Sequence, residues 1–328
     1  MKNKEILVTG GCGFIGSHLV EMLVKNGNKV ICFDRYNSNN HWGWLEHSEV
    51  KDDIEVILGD IRDFDSVYDA VKRVEIAFHL AALIGIPYSY ISPLAYIRTN
   101  IEGTYNVLES TRLHGTDQVI TTSTSETYGT AQYVPIDEAH PLVGQSPYSA
   151  TKISADQIAF SYFRSFDLPV KIARPFNTYG PHQSSRAIIP TIITQVLEGK
   201  GEIKIGNTSP TRDLTYVADT CRAIIEIAKQ SEFMGDVVNI GTNSEVSIQE
   251  LIEKIEKISG RKVKTVQDKE RIRPKKSEVE RLISNNEKIL LKTNWKPEIS
   301  LDEGLTKTFQ WFEKIDIKSL YKPDRYNV

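Results

Sequence analysis

Tyr148 and Lys152 stand four residues apart in "PYSATKISAD". On a helix that spacing puts them on one face, about a turn apart. A phenol with an ordinary pKa near ~10 is a poor base at neutral pH. A lysine ammonium beside it favours the phenolate, which can take the proton of a secondary alcohol. Tyrosine and lysine at this spacing are common in helices, so the surroundings matter. The segment "STSETYG" lies 24 residues earlier, where the β-branched run "VITT" ends. It sets Thr124, Ser125 and Glu126 side by side, as a polar loop or a catalytic edge. Thr124 can donate to the oxygen that Tyr148 deprotonates. The combination suits hydride transfer at a secondary alcohol.

A second group could hold the redox partner. "VTGGCGFIGSHL" carries Gly10, Gly13 and Gly16 between a strand-like run and a helical one. Glycines there allow a tight turn, close approach of backbone to a pyrophosphate, and close helix–strand packing. Asp34 ends the next strand-like run, 18 residues after Gly16. A carboxylate there can accept from the adenosine ribose hydroxyls, which favours NAD over its 2′-phosphate form. Arg35 weakens that preference slightly. Asp60 and Ile61 in "GDIRD", and Leu80, Ala81 and Ala82 in "LAA", would line the same crevice at the carboxyl ends of their strands.

The elements that must position these groups alternate. "EILVTG", "KVICFD", "IEVILGD", "IAFHLAA", "QVITTS" and "VKIARP" read as strands separated by helical stretches. Strands alternating with helices imply a parallel sheet covered on both faces. Two helices are expected to be long. One spans about 94–114, with Ile97, Ile101, Thr104 and Leu108 on one stripe; the other spans about 147–167, with Ala155, Ile158, Tyr162 and Phe166 on one stripe. After "RPFNTYGP" the rhythm changes. "SIQELIEKIEKISG" opens with a capping box, Ser247 and Glu250, and closes on Gly260; "SLDEGLTKTFQWF" opens with Ser300 and Glu303. The expected fold is α/β: a Rossmann-type doubly wound parallel sheet with a smaller C-terminal α/β substrate domain. Residues 1–175 would bind the dinucleotide and 176–328 the substrate. A return strand is expected at 236–241, "DVVNIG".

A net charge of -3 over 328 residues argues against bulk attraction to nucleic acid or anionic membrane. The run "RIRPKK" is too short to reverse that. The start "MKNKEILVTG" enters a strand at once, and no apolar run approaches ~18 residues, so neither a leader nor a membrane span is expected. Cys12, Cys32 and Cys221 are scattered, match no zinc or redox spacing, and read as reduced thiols of a cytoplasmic protein with no metal.

Taken in order, "TGGCGFIG", "STSETYG", "YSATK", "RPFNTYGP" and "RDLTYVAD" resemble the extended short-chain dehydrogenase/reductases. More narrowly they are similar to the nucleotide-sugar epimerases, 4,6-dehydratases and decarboxylases, nearly to the closing "LKTNWKPEISLDEGLTKTFQWF". "LAALIGIPYSYISP", "TSTSETYGTAQYVPIDEAHPL", "ARPFNTYGPHQS" and "RIRPKKSEVERL" look most like soluble dehydratases of UDP- or GDP-linked N-acetylglucosamine. The resemblance implies bound NAD, with Phe14, Ile15, Thr99, Tyr148, Lys152 and Pro175 joining its contacts. It implies that Thr124 assists Tyr148 at O4 of the sugar and that Glu126 removes the C5 proton. Ser125 stands where glucose-nucleotide dehydratases carry an aspartic acid that protonates the leaving oxygen. Asn177 would face the sugar diphosphate, and Arg212 and Arg273 would clamp the phosphates, with Arg186 as a further candidate. Tyr88 and Tyr90 could stack on the sugar. The long helices would pair with their copies in a homodimer. The "TSE" triplet is also that of glucuronate decarboxylases, so decarboxylation and epimerisation at C4 stay open.

Overall fold

The structure, a computed structural model, describes residues 1–323; residues 324–328 of the expected substrate domain lie outside the described residues. The chain begins with β1 Glu5–Thr9, α1 Phe14–Lys25, β2 Lys29–Arg35, β3 Ile54–Gly59, α2 Phe64–Val71 and β4 Ile76–His79. It continues through α3 Ile86–Ile91, α4 Pro93–Tyr96, α5 Gly103–His114, β5 Gln118–Thr122, α6 Pro147–Phe166 and β6 Val170–Pro175. Every residue of β4 and β6 is buried, as expected for strands covered on both faces.

The second half supplies β7 Asn177–Tyr179, α7 Ile188–Glu198, β8 Glu202–Ile205, β9 Thr211–Arg212, β10 Leu214–Tyr216 and α8 Val217–Lys229. Then come β11 Val237–Ile240, β12 Val246–Ser247, α9 Ile248–Ser259, β13 Lys264–Gln267, β14 Arg281–Leu282, α10 Glu287–Lys292, α11 Leu301–Lys314 and α12 Ile317–Leu320.

Seven strands form the main sheet in the order β11-β6-β5-β4-β1-β2-β3, with all neighbouring pairs parallel. This is the Rossmann-type doubly wound sheet. The order reverses between β1 and β4, where ligands of such sheets bind. β11 is the return strand expected at 236–241; Val238 pairs with Ala173 of β6. One face of the sheet is covered by α1 and α8, through Leu19, Leu23, Cys221 and Ile224. The other is covered by α2, α5 and α6, through Val67, Leu108, Ala159 and Tyr162. A third core joins α7, β8, α9 and α11 through Ile192, Ile203, Leu251 and Phe309. Each fully buried Leu or Ile contributes about 1.5–3 kcal/mol.

The two long helices differ from each other. α6 is regular. Ser146 caps it reciprocally with Ser149, Pro147 occupies the first turn, and Asp167 ends it in the left-handed region at φ 53°. Ala155 and Tyr162 are buried, whereas Phe166 is 52% exposed. The helix expected at 94–114 contains a π segment, Ile97–Glu102, between α4 and α5. The wider turn offsets the two halves of its expected stripe. Thr104 and Leu108 face the core, but Ile97 is 47% exposed. At Ser247 the capping box is complete, whereas at Ser300 only the serine half forms. Among the described residues no helix is long and apolar enough to cross a membrane.

Candidate active site

The glycine loop turns where β1 meets α1. Gly10 has φ +72°, and a Cβ there would lie 2.9 Å from the amide nitrogen of Ala81. A Cβ on Gly16 would lie 2.0 Å from the Gly10 carbonyl oxygen, so only glycine lets α1 start this close to the loop. Gly13 caps α1 without a side-chain hydrogen bond, so the first-turn amides and the positive end of the helix face an anion site. Phe14 and Ile15 open the same helix. Asp34 accepts from the Cys12 amide at 2.8 Å and borders a cleft of about 400 Å³ lined also by Gly13, Arg35, Asn37 and His41. These features fit an adenine dinucleotide: bare amides for its pyrophosphate and a carboxylate at the ribose end of a roomy cleft. Leu80, Ala81 and Ala82 follow β4 and meet the glycine loop through Ala81. Asp60 is bonded to Arg62, which holds its carboxyl below the usual range. Ile61 is buried, and its carbonyl accepts from Asn106 at 3.0 Å. Pro175 ends β6, and Thr99 is half-buried on the π segment.

The candidate catalytic edge sits at the carboxyl end of β5. Thr124 is extended, and its hydroxyl accepts from the Glu126 amide at 3.3 Å, capping a 3₁₀ turn over Ser125–Tyr128. Ser125 and Glu126 are both buried within that turn. Tyr148 reaches the edge from the first turn of α6. Burial pushes its phenol well above the ordinary value; a hydrogen bond with the Thr124 side chain works the other way, and the Glu126 charge adds to the rise. Lys152, one turn on, is 5% exposed and donates to the Thr122 carbonyl at 2.6 Å. Burial lowers its pKa, and Asp156 opposes the fall. The ammonium thus anchors on β5. Tyr148 also stacks edge-on with Tyr96, centroids 6.2 Å apart, and Tyr96 lies 6.1 Å from Tyr88. Tyr88 therefore stands on the site side of the loop after β4. Tyr90 instead bonds Ser277 at 2.6 Å, bridging to the second half of the chain.

Arg212 and Arg273 converge. Both guanidinium groups approach Glu278, at 3.6 and 3.7 Å. Burial lowers the Arg212 pKa, while the Glu126 charge opposes that, so Arg212 also faces the catalytic edge. Nη1 of Arg273 and Oδ1 of Asn177 are buried without hydrogen-bond partners. Glu126, Glu278 and Glu280 offset the charge of the two arginines, but the unpartnered Arg273 donor leaves hydrogen-bonding capacity in the pocket for an anionic ligand. Arg186 is exposed, and its side chain borders Gly85 and Tyr96.

A family model described as GDP-mannose 4,6 dehydratase matches residues 7–308. The chain belongs to this family. Within it, three kinds of relative stand close. The UDP-N-acetyl-alpha-D-glucosaminuronate decarboxylase of Bacillus cytotoxicus is 33% identical over 95% of this chain and 99% of its own. DesIV of Streptomyces venezuelae, a dTDP-glucose 4,6-dehydratase solved with NAD bound, superposes with TM-score 0.88 at 28% identity, covering 98% of this chain and 100% of that one. The UDP-N-acetylglucosamine 4-epimerase of Methanobrevibacter ruminantium superposes with TM-score 0.85 at 30% identity, covering 95% and 99%. Dehydration, decarboxylation and epimerisation thus share this scaffold.

In this member of the GDP-mannose 4,6 dehydratase family, sequence reasoning passed over several residues at the site. Glu278 joins the two arginines; its signal was the acid that follows the basic run "RIRPKKS". Asn100, beside Thr99, exchanges hydrogen bonds with both backbone groups of Leu83 and donates to Thr151 at 3.1 Å, tying the loop after β4 to α6. Tyr96 stands between Tyr88 and Tyr148. No periodicity marks either of these last two.

Proposed function

We propose that the chain is an NAD-dependent nucleotide-sugar 4,6-dehydratase acting on nucleotide-linked N-acetylglucosamine, with UDP-N-acetylglucosamine as the first candidate. The observation that carries this reading is Glu126, a buried carboxylate two residues after Thr124 that acts electrostatically on both Tyr148 and Arg212. Exchange of configuration at C4 needs no carboxylate there; removal of a C5 proton does.

The cradle of Gly10, Gly13, Gly16 and Asp34 would hold NAD, which when bound supplies the acceptor for hydrogen from C4 and its donor at C6. Tyr148 takes the O4 proton, with Thr124 donating to the same oxygen. The C4 ketone then acidifies the neighbouring C5 hydrogen, and Glu126 removes it. The C6–O bond breaks, and the oxygen leaves as water carrying a proton. Ser125 is too weak an acid to deliver that proton, so Glu126 returns the one it took; as C6 is reduced, C5 gains a new proton from solvent, and Tyr148 releases the O4 proton to solvent. Asn177, Arg212 and Arg273 bind the diphosphate, and Tyr88 lines the sugar side. In this reading residues 1–175 serve the cofactor and the later residues the substrate, in a cytoplasmic setting that keeps the three buried cysteines reduced.

The reading includes a homodimer. Leu94, Ile97, Tyr105 and Leu113 are 43–56% exposed along α4, the π segment and α5, and Phe166 is exposed on α6. Pairing these helices with their copies would cover that apolar stripe.

Mass spectrometry of the purified protein with UDP-N-acetylglucosamine tests the chemistry. Loss of water supports dehydration. Unchanged mass with inverted C4 makes the protein an epimerase. Loss of carbon dioxide from UDP-glucuronate, the outcome favoured by Ser125 in place of an acid, makes it a decarboxylase. Glu126→Gln should lower water loss by about 100-fold or more and stop solvent deuterium entering C5.

A further inference from the structure

Three residues carried by the site motifs, yet given no role above, meet in the interior. Ser123 opens "STSETYG", Asp156 closes "YSATKISAD", and Arg174 opens "RPFNTYGP". They are 4%, 2% and 1% exposed. Ser123 Oγ donates to Asp156 Oδ2 at 2.5 Å. Arg174 donates to the same oxygen at 2.7 Å and, through Nε, to Ser123 Oγ at 3.3 Å. Its remaining arm donates to the Tyr128 hydroxyl at 2.8 Å, which donates onward to Asn239 of β11 at 2.7 Å. The Ser123 amide donates to the Ala173 carbonyl of β6 at 2.7 Å.

One carboxylate therefore joins three elements. It lies on α6, four residues after Lys152 and eight after Tyr148, on the face that carries both. It grips the residue immediately before Thr124, and it is itself held by β6. A fully buried ion pair is a weak source of stability, because desolvation offsets most of its attraction, and apolar residues would fill the space equally well. What it supplies is direction: donors and acceptors fixed at one site.

We propose that Asp156, held by Arg174, is a positioning residue of the active site, which through Ser123 fixes the Thr124 hydroxyl against the Tyr148 phenol. This rests on the reading of Thr124 and Tyr148 as the groups that handle the O4 proton. The Tyr128 and Asn239 end of the network extends the same anchorage to β11. Lys152 stands outside this network, bonded to the Thr122 carbonyl.

Ser123→Ala keeps the Asp156–Arg174 pair and removes the hydroxyl through which Asp156 and Arg174 grip the residue before Thr124. In the full-length, NAD-loaded protein, hydrogen exchange of residues 123–129 should rise at least about tenfold, with exchange of α6 and β6 unchanged. With UDP-N-acetylglucosamine as probe, kcat should fall about tenfold to hundredfold, the scale of a small misplacement, with KM within about twofold. Ser123→Thr, which restores a hydroxyl, should return kcat to within about threefold. Asp156→Asn should show the same kcat loss. Where it fails to fold, because Arg174 is left as an unpaired buried cation, Ser123→Ala still decides the matter. Unchanged exchange at 123–129 in Ser123→Ala overturns the proposal, and so does a general rise in exchange through α6 and β6. Tyr148→Phe is the separate control. If it turns over the probe normally, or the wild type does not turn it over, the underlying functional reading fails, and the exchange result still decides the positioning role.

Discussion

Lys152 Nζ donates to the carbonyl oxygen of Thr122 across 2.6 Å, so the cation carried by α6 rests on the end of β5 and not on Tyr148. It is buried beside His79, whose pKa its charge helps to depress. The lysine thus holds α6 to the strand from which the Thr124–Glu126 edge springs.

Lys152→Met should lower kcat by about 100-fold or more, the range for losing an acid–base group, and weaken NAD binding. Lys152→Arg should recover little, since a planar guanidinium does not fit where an ammonium 5% exposed meets a single carbonyl. Initial rates and a fluorescence titration with NAD check this. A Met variant within threefold of wild type would remove Lys152 from the mechanism.

Arg273→Ala should act on binding. Its side chain is 28% exposed, so the fold should tolerate the change. A hydrogen bond to a charged group contributes about 1.5–3 kcal/mol, so KM for the nucleotide sugar should rise at least roughly tenfold with kcat little altered. Steady-state kinetics and titration with UDP alone check it; a fall in kcat at constant KM would contradict a phosphate contact.

His79 predicts how stability responds to acid. Thr104 gives its hydroxyl proton to the Asn100 carbonyl, so at 3.0 Å it can only accept, and His79 Nε2 carries the proton. Nδ1 accepts from Thr9 at 2.8 Å. The neutral ring is fully satisfied, and burial lowers its pKa to about 3. Above the ordinary value of 6.5 the folded and unfolded chains agree and this stability is intact. Below it the unfolded chain binds a proton that the folded chain refuses, so stability falls as pH drops toward 3. The slope is about 1.4 kcal/mol per pH unit. His182, also lowered to about 3 by burial, adds the same slope. Urea melts between pH 7.5 and 5 should show it, and His79→Gln should remove one proton's worth. Equal slopes in the two proteins would refute the assignment.

The exposed stripe along the π segment and α5 yields a prediction of assembly. Light scattering of the wild type should give twice the chain mass, and Ile97→Glu with Tyr105→Glu should give a single chain that keeps its melting temperature. A monomeric wild type at micromolar concentration would rule out the dimer.

The strands, the glycine loop and the return strand near 236–241 were legible in the sequence because each rests on a local rule: alternation, a turn that only glycine permits, an apolar run bounded by turns. Asp34 and Lys152 lie where their spacing suggested. The π segment was not legible, since nothing in "IRTNIE" departs from ordinary helix composition, and it split a stripe that looked continuous. Glu278 and Asn100 escaped for another reason. Their partners lie far away in sequence, and a pairing made by tertiary approach has no period. Arg174 sits in a motif with nothing in the sequence to mark it, yet its guanidinium is among the most deeply buried charges of the described residues.

β6 acquires its second neighbour only when β11 arrives. During synthesis the chain must grow from Pro175 to Val237 first, which at ordinary ribosomal speed takes roughly 3–12 s. For that interval one edge of a six-residue, fully buried strand stands open to any other nascent chain. β6 carries Lys171 and Arg174 among its apolar residues, and Lys171 finds its final partner, the Ala228 carbonyl at 2.6 Å, on a helix made late. Inward-pointing charge on a waiting edge discourages wrong pairing. Ribosome-released chains ending at residue 230 should therefore pellet more when Lys171→Ile is introduced, and equal pelleting would show that the lysine guards nothing while the strand waits.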